Sequence, residues 1–151
     1  YYLYVKQTPW HPEYQYYSNL DVQAGLKYFS DSLLCDYVQW IESWEKTRNN
    51  SLSLILRYED LLARTETELI KVVKHLGLDI SESKISSIIR ANSFETLSGG
   101  RNQGRESQNS FFRKGIAGDW KNYFDEDLKK IYKENIGEFL IKFKYENDLN
   151  W

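Results

Sequence analysis

Only one segment of this chain has the pattern of a β-strand, and this restricts the fold more than any other feature. The run Leu52–Arg57 is short and mostly aliphatic, and a polar turn at 48–51 precedes it. Such a run suits a strand buried in a parallel sheet. A single strand has no partner within the chain, and a sheet needs several strands to be stable. We therefore predict an α/β domain, a parallel sheet flanked by helices, of which this chain holds the mostly helical C-terminal part.

Helical patterns occupy most of the remaining sequence. A first helix is predicted around Asp21–Phe29. Four further stretches repeat apolar residues at intervals of three and four, which is typical of amphipathic helices. These stretches are 34–44, 69–76, 85–89 and 128–143.

Residues with suitable side chains mark where these helices begin and end. Asp31 or Ser30 is placed to cap the second predicted helix, and Ser81 precedes the fourth. Gly77 is expected to stop the third helix. Three acidic residues, 125–127, lie at the positive N-terminal end of the fifth.

The composition is that of a soluble globular chain. Of 151 residues, 41% are apolar and 28% are charged, and the formal net charge is -2. This charge argues against bulk attraction to nucleic acid, so we expect no nucleic-acid partner. The longest aliphatic run, Leu52–Leu56, is far shorter than a membrane span, and we expect none.

Cysteine and histidine usage limits the chemistry further. The single cysteine, Cys35, excludes an internal disulfide framework and favours a reducing, cytoplasmic location. His11 and His75 are far apart in the sequence, and with one cysteine they do not form a zinc-ligand set. We therefore predict no metal site.

Residues 98–110 form the one low-complexity stretch. It is rich in Gly, Ser, Asn and Gln and contains no apolar residue. We predict a mobile loop, because a segment without apolar side chains cannot pack by itself.

Two adjacent cations followed by a glycine, Arg113, Lys114 and Gly115, form the clearest candidate site. The planar fork of arginine and the compact charge of lysine suit the several oxygens of a phosphate. A glycine lets its main-chain N–H approach an anion without interference from a Cβ atom. From composition alone, an ordinary solvated Arg-Lys turn stays an open alternative.

The sequence RKGIAGDWKNYF, residues 113–124, resembles the RKGxxGDWKNxF signature of the cytosolic-type sulfotransferases. These enzymes transfer a sulfuryl group from 3′-phosphoadenosine 5′-phosphosulfate (PAPS). The resemblance implies a P-loop NTPase-like sulfotransferase fold and a small-molecule acceptor with a hydroxyl or amine. It also implies that Arg113, Lys114 and the main chain of Gly115 bind the 3′-phosphate of the nucleotide.

Two other segments resemble the same family in order and spacing. Residues 54–61 are similar to its strand followed by Tyr-Glu-Asp, whose tyrosine contacts adenine, so Tyr58 is a candidate adenine contact. Its expected place at the end of a parallel strand is where open α/β sheets bind ligands. Asn92-Ser93-Phe94 resembles a Thr-Ser-Phe segment that lines the adenine pocket. Phe94 matches that segment, and Asn92 stands where the family has threonine.

The resemblance places the reacting groups outside this chain. In the family, the phosphosulfate loop and the catalytic histidine precede the stretch matched here. Residues 1–151 are thus expected to be the C-terminal portion of a single sulfotransferase domain, without the N-terminal half that holds the phosphosulfate loop. No catalytic residue is assigned within the chain, and the loop at 98–110 corresponds to the family's mobile loop.

The family's dimer motif, KxxxTVxxxE, would begin at Lys121. Asp125, Glu126 and Lys130 depart from it, so we do not expect dimerisation through that motif.

The sequence alone leaves two alternative functions open. A non-enzymatic helical interaction module would use the amphipathic stripes and the aromatic cluster at 14–17. An ATP-using, kinase-like domain would share the P-loop fold class but prefer a different nucleotide.

Overall fold

The computed structural model describes residues 1–108 and 110–151. The described chain divides into two compact units. The terminal unit comprises Tyr1–Arg48 and Asp119–Trp151, and the central unit comprises Asn49–Gly118.

Helices account for the regular secondary structure of the described residues. In chain order they are α1 (Tyr2–Lys6), α2 (Tyr14–Tyr17), α3 (Val22–Ser32), α4 (Leu34–Thr47), α5 (Tyr58–Ala63), α6 (Thr65–His75), α7 (Glu82–Ala91), α8 (Phe94–Leu97), a short 3-10 helix (Asp119–Asn122) and α9 (Glu126–Lys142). All five helices predicted from the sequence are confirmed. None of the helices in the described chain combines the length and the apolar character that a membrane crossing requires.

The main core of the terminal unit lies among α3, α4 and α9. Its buried members are Leu34, Leu128, Tyr132 and Ile136. Burying one such side chain stabilises a fold by about 1.5–3 kcal/mol. The Tyr132 hydroxyl also donates a hydrogen bond to the carbonyl of Leu26 at 3.0 Å. Helices α3 and α9 are therefore joined by a partly buried hydrogen bond as well as by apolar packing.

A second core in the terminal unit contains Tyr2, Val5 and Tyr17. Gly25 of α3 makes room for the Tyr2 ring, because a Cβ atom at position 25 would lie 2.1 Å from a ring carbon. Helix α1 can approach α3 this closely only because position 25 has no side chain.

An ion pair connects α4 to α9 across the same unit. The Lys142 Nζ donates to the Glu42 Oε1 at 2.5 Å. This hydrogen bond, together with the positive charge of Lys142, lowers the pKa of Glu42 below its ordinary value. Both side chains are partly exposed, so the pair makes only a small contribution to stability.

Local capping signals set the helix boundaries of the central unit. The Ser81 Oγ accepts from the Lys84 N–H at 3.4 Å where α7 begins. The Ser93 Oγ accepts from the Thr96 N–H at 3.2 Å where α8 begins. Gly77, with φ of +65°, follows the end of α6 as predicted. The two serine side chains satisfy main-chain N–H groups that the start of a helix leaves without a partner.

The predicted strand at Leu52–Arg57 is wrong for the described chain, which contains no strand. The segment reaches α5 without regular structure, and Leu52 and Ile55 are 77% and 57% exposed. A strand needs a neighbour to complete its main-chain hydrogen bonds, and none of the described residues supplies one.

The predicted N-cap of α4 is also wrong. Neither Asp31 nor Ser30 caps that helix; both belong to the last turn of α3, and Leu33 occupies the cap position without a side-chain bond. Asp31 instead pairs with Lys27 at 2.8 Å. Ser30 is buried, and its Oγ accepts from the Asn135 side chain at 2.9 Å. A tertiary contact with Asn135 and an ion pair within α3 therefore engage the two side chains that the local pattern assigned to capping.

Candidate functional site

The residues Arg113, Lys114 and Gly115 lie in a non-helical segment of the central unit. The two cationic residues are half-buried, and Gly115 has φ of +66°. A left-handed main chain of this kind is strained for residues with a Cβ atom and open to glycine. The main chain directly after the two cations therefore has a conformation that favours glycine.

The Phe94 ring packs against this glycine. A Cβ atom built at position 115 would lie 2.3 Å from the Cδ2 of Phe94, so the ring occupies the space that a side chain would need. Phe94 is the first residue of α8, whose start is fixed by the Ser93 cap. The structure thus brings the predicted adenine contact into direct contact with the predicted phosphate segment.

A carboxylate accompanies the first cation. The Arg113 Nη1 donates to the Glu106 Oε1 at 2.6 Å, and the two side chains are 21% and 33% exposed. A charged hydrogen bond of this length is strong for an arginine at a partly buried position. The guanidinium of Arg113 is therefore presented in a geometry that already holds one anionic group.

Arg101 holds the main chain around the two cations. Its Nη1 donates to the carbonyls of Arg105 at 2.9 Å and Arg113 at 3.0 Å. Its Nη2 donates to the Ser110 Oγ at 3.0 Å and to the carbonyl of Phe112. One side chain thus connects residues 105 and 110 to the segment at 112–113.

The guanidinium carbon of Arg101 also lies 5.3 Å from the centre of the Phe94 ring, within range of a cation–π contact. Sequence reasoning missed this residue. No sequence signal distinguishes it from Arg105 of the same stretch, because most of its partners are main-chain carbonyls.

Main-chain hydrogen bonds also join the loop 98–110 to the cation segment. The N–H of Gly104 donates to the carbonyl of Lys114, and the N–H of Ser107 donates to the carbonyl of Arg113, each at 2.9 Å. The described part of the loop therefore folds back along 113–114. The mobility of 98–110 stays a prediction, and Asn109 within it lies outside the described residues.

The other two predicted adenine contacts are placed separately. Tyr58 is the first residue of α5 rather than the last of a strand, and it is 54% exposed. In the part of the chain that the structure describes, its ring makes no aromatic contact with Phe94. Asn92 follows the end of α7, and its Nδ2 donates to the carbonyl of Ile88 at 2.9 Å. The structure therefore brings together Phe94 and the cation segment, and the role of Tyr58 stays a prediction.

Titratable and metal-binding residues do not form a second centre. Within residues 1–108 and 110–151, no group of three or more His, Cys, Asp or Glu side chains is arranged to hold a metal ion. The chemistry that the described cluster can perform is the binding of an anion beside an aromatic ring.

Known proteins resemble this chain along most of its length. The sequence profile of the family described as the sulfotransferase domain matches residues 6–144. Sulfotransferase 1B1 of the dog, Canis lupus familiaris, is 31% identical over 126 residues, covering 73% of this chain and 43% of the dog protein. Amine sulfotransferase of the rabbit, Oryctolagus cuniculus, is 28% identical over 128 residues, covering 73% of this chain and 41% of the rabbit protein. The chain thus spans about two fifths of the length of these curated relatives.

A solved structure shows the same fold. The crystal structure of mouse sulfotransferase SULT7A1 complexed with PAP has a TM-score of 0.69 to this chain at 24% sequence identity. The match covers 90% of this chain and 53% of the mouse chain. It shows the predicted sulfotransferase fold, although the parallel sheet of that prediction is not found in the described residues. Since the family profile also covers nearly the whole sequence, the chain belongs to the sulfotransferase domain family.

Proposed function

We propose that the protein transfers a sulfuryl group from PAPS to the hydroxyl or amine of a small-molecule acceptor, and that its central unit anchors the nucleotide. The observation that carries this proposal is the packing of Phe94 against Gly115, which sets a ring for base stacking beside two adjacent cations. Membership of the sulfotransferase family supports it. The mouse relative was crystallised with PAP, and the rabbit relative is named for amine sulfation, which supports the donor and one acceptor class.

The 3′-phosphate is assigned to Arg113, Lys114 and the N–H of Gly115. A phosphate monoester carries about -1.5 to -2 charges at neutral pH, which the two side chains can balance. Arginine supplies a planar pair of donors, and lysine supplies a compact charge. In this arrangement the phosphate takes the place of the Glu106 carboxylate on Arg113, because it offers more charge and more acceptor oxygens.

The adenine is assigned to Phe94, with Tyr58 and Asn92 as further contacts. Stacking of a base on an aromatic ring is worth about 1–3 kcal/mol in single-strand binders. The exposed ring of Tyr58 is open to such a contact. The Asn92 Nδ2 donates to a helix carbonyl, and the side-chain oxygen, which is the acceptor of the amide, can accept from the adenine amino group.

The transfer itself needs positioning and charge neutralisation rather than a covalent intermediate. The acceptor oxygen or nitrogen attacks sulfur, the bond from sulfur to the bridging 5′-phosphate oxygen breaks, and adenosine 3′,5′-bisphosphate (PAP) leaves. The acceptor proton passes to a base, and we assign no residue of this chain to that role. The loop 98–110 closes over the nucleotide in this proposal, and the protein acts in the cytoplasm, without a metal and without the family's dimer motif.

Nucleotide binding by the full-length protein tests this function. Isothermal titration with PAP, adenosine 5′-monophosphate and ATP should show a clear preference for PAP, since only PAP carries a 3′-phosphate. The variant Arg113→Ala should raise the Kd for PAP about tenfold or more, on the magnitude of one lost charged hydrogen bond. It should leave the Kd for the monophosphate nearly unchanged, because that ligand lacks the group Arg113 binds.

Arg90→Ala is the matched control, since it removes an exposed arginine of the central unit that lies outside the loop and the assigned contacts. An equal loss of affinity for PAP in both variants would mean that the general positive charge of the unit, and not a specific site, attracts the nucleotide. A preference for ATP would favour the kinase-like alternative, and binding of no nucleotide would favour the interaction module.

A further inference from the structure

Arg101 contacts several groups around the candidate site. We propose that Arg101 is a positioning residue, which sets the main chain of 112–114 so that Arg113 and Lys114 can bind the nucleotide phosphate. This inference rests on the proposed function and extends it to a residue that does not itself touch the ligand.

Most of the hydrogen-bonding capacity of Arg101 is engaged by protein groups. Its two terminal nitrogens donate to four oxygens, those of Arg105, Ser110, Phe112 and Arg113. Its guanidinium carbon lies 5.3 Å from the centre of the Phe94 ring. A guanidinium held in this way has little remaining capacity to donate to a phosphate. Its effect on the nucleotide must therefore pass through the residues that it holds.

Carbonyl groups explain why an anion site needs such a residue. A carbonyl oxygen carries partial negative charge, so a free one beside a phosphate would repel it. The carbonyls of Phe112 and Arg113 are bound by Arg101, and the carbonyl of Lys114 is bound by the N–H of Gly104. Three successive carbonyls are thus occupied by the loop. The same contacts restrict the directions in which the two cationic side chains leave the main chain.

The Phe94 contact extends this role to the base. The ring packs on Gly115 and also lies under Arg101, so one guanidinium is linked to both halves of the proposed nucleotide site. Loss of Arg101 should therefore weaken binding of the phosphate and of the adenine together.

Titration of the full-length protein with PAP tests the proposal. Arg101→Gln should raise the Kd about tenfold, and Arg101→Lys should raise it nearly as much, because an ammonium cannot bond four separated acceptors. Arg90→Gln is the control, since it removes one exposed positive charge from the same unit, outside the loop, and none of these hydrogen bonds. It should change the Kd by less than about twofold. Melting temperature and circular dichroism identify any variant that fails to fold. If Arg101→Gln fails to fold, the Kd of Arg101→Lys alone tests the proposal.

A double-mutant cycle separates positioning from general destabilisation. If Arg101 acts in part through Arg113, Arg101→Gln should raise the Kd by a smaller factor when Arg113→Ala is already present, and the remaining effect is the part that acts through Lys114 and Phe94. Equal effects in both backgrounds would overturn the proposal. So would wild-type affinity in Arg101→Lys, since charge alone would then suffice. If Arg113→Ala binds PAP like the wild type, the proposed function fails, and this inference fails with it. If Arg113→Ala loses affinity for PAP and the Arg101 variants do not, only the role of Arg101 is refuted.

Discussion

Replacing Gly115 by alanine should damage the candidate site through two separable effects. The residue has φ of +66°, and a left-handed main chain costs an L-residue about 1–2 kcal/mol. The added Cβ atom would lie 2.3 Å from the Phe94 ring, and overpacking of this kind costs about 1–3 kcal/mol. Gly115→Ala should thus lower the free energy of unfolding by about 2–5 kcal/mol.

Gly118→Ala is a matched control from the same segment. Gly118 has φ of +74°, but no atom lies within 4 Å of the position its Cβ would take. This variant carries only the main-chain effect, about 1–2 kcal/mol. Urea denaturation of the full-length protein should therefore show Gly115→Ala to be less stable than Gly118→Ala, and PAP titration should show a larger rise in Kd. Equal values in both measurements would refute the packing of Phe94 on Gly115.

Two further predictions concern the terminal unit. Gly25→Ala forces a Cβ atom into the buried Tyr2 ring and should destabilise the protein by about 1–3 kcal/mol in urea denaturation. Gly137→Ala also adds a Cβ atom at a buried helix position, where the nearest atom is the end of the partly exposed Leu149 side chain. This variant should be neutral or slightly stabilising, because alanine favours a helix more than glycine does. A loss of stability as large as that of Gly25→Ala would contradict this prediction. The lowered pKa of Glu42 stabilises the fold above the ordinary glutamate range and loses that effect as the pH falls through the lowered value. Glu42→Gln should therefore show a slightly shallower loss of stability on acidification than the wild type, and identical curves would refute the role of this ion pair.

Local signals in the sequence predicted the helices well. Ser81 and Asp125 cap α7 and α9, because a short polar side chain before an apolar stripe binds the first free N–H groups of the helix. The cap of α4 could not be found in this way. Ser30 and Asp31 have the right chemistry, but a contact to Asn135 and an ion pair within α3 take them up instead.

The strand prediction failed for a different reason. The segment Leu52–Arg57 has the composition of a buried strand, yet strand formation depends on a second segment that pairs with it. The composition of one segment does not show whether a second segment is present to pair with it. The described chain contains no partner, and the apolar side chains stay exposed.

The candidate site was partly predictable. The charge and glycine pattern indicated Arg113, Lys114 and Gly115, and the family resemblance added Phe94. The contact between Phe94 and Gly115 requires the fold, because no rule of spacing brings two such distant positions together. Arg101 could not be predicted from the sequence, because most of its partners are main-chain carbonyls. Every residue has such a carbonyl, and no sequence pattern marks the ones that bind a side chain.

A crystal structure of the full-length protein with PAP would test the central claim most directly. We expect the 3′-phosphate to lie within hydrogen-bond distance, about 3 Å, of Arg113, Lys114 and the N–H of Gly115. We also expect the adenine to lie against Phe94, with Glu106 displaced from Arg113. A bound nucleotide whose phosphate lies away from these groups, with Arg113 still paired to Glu106, would contradict the account.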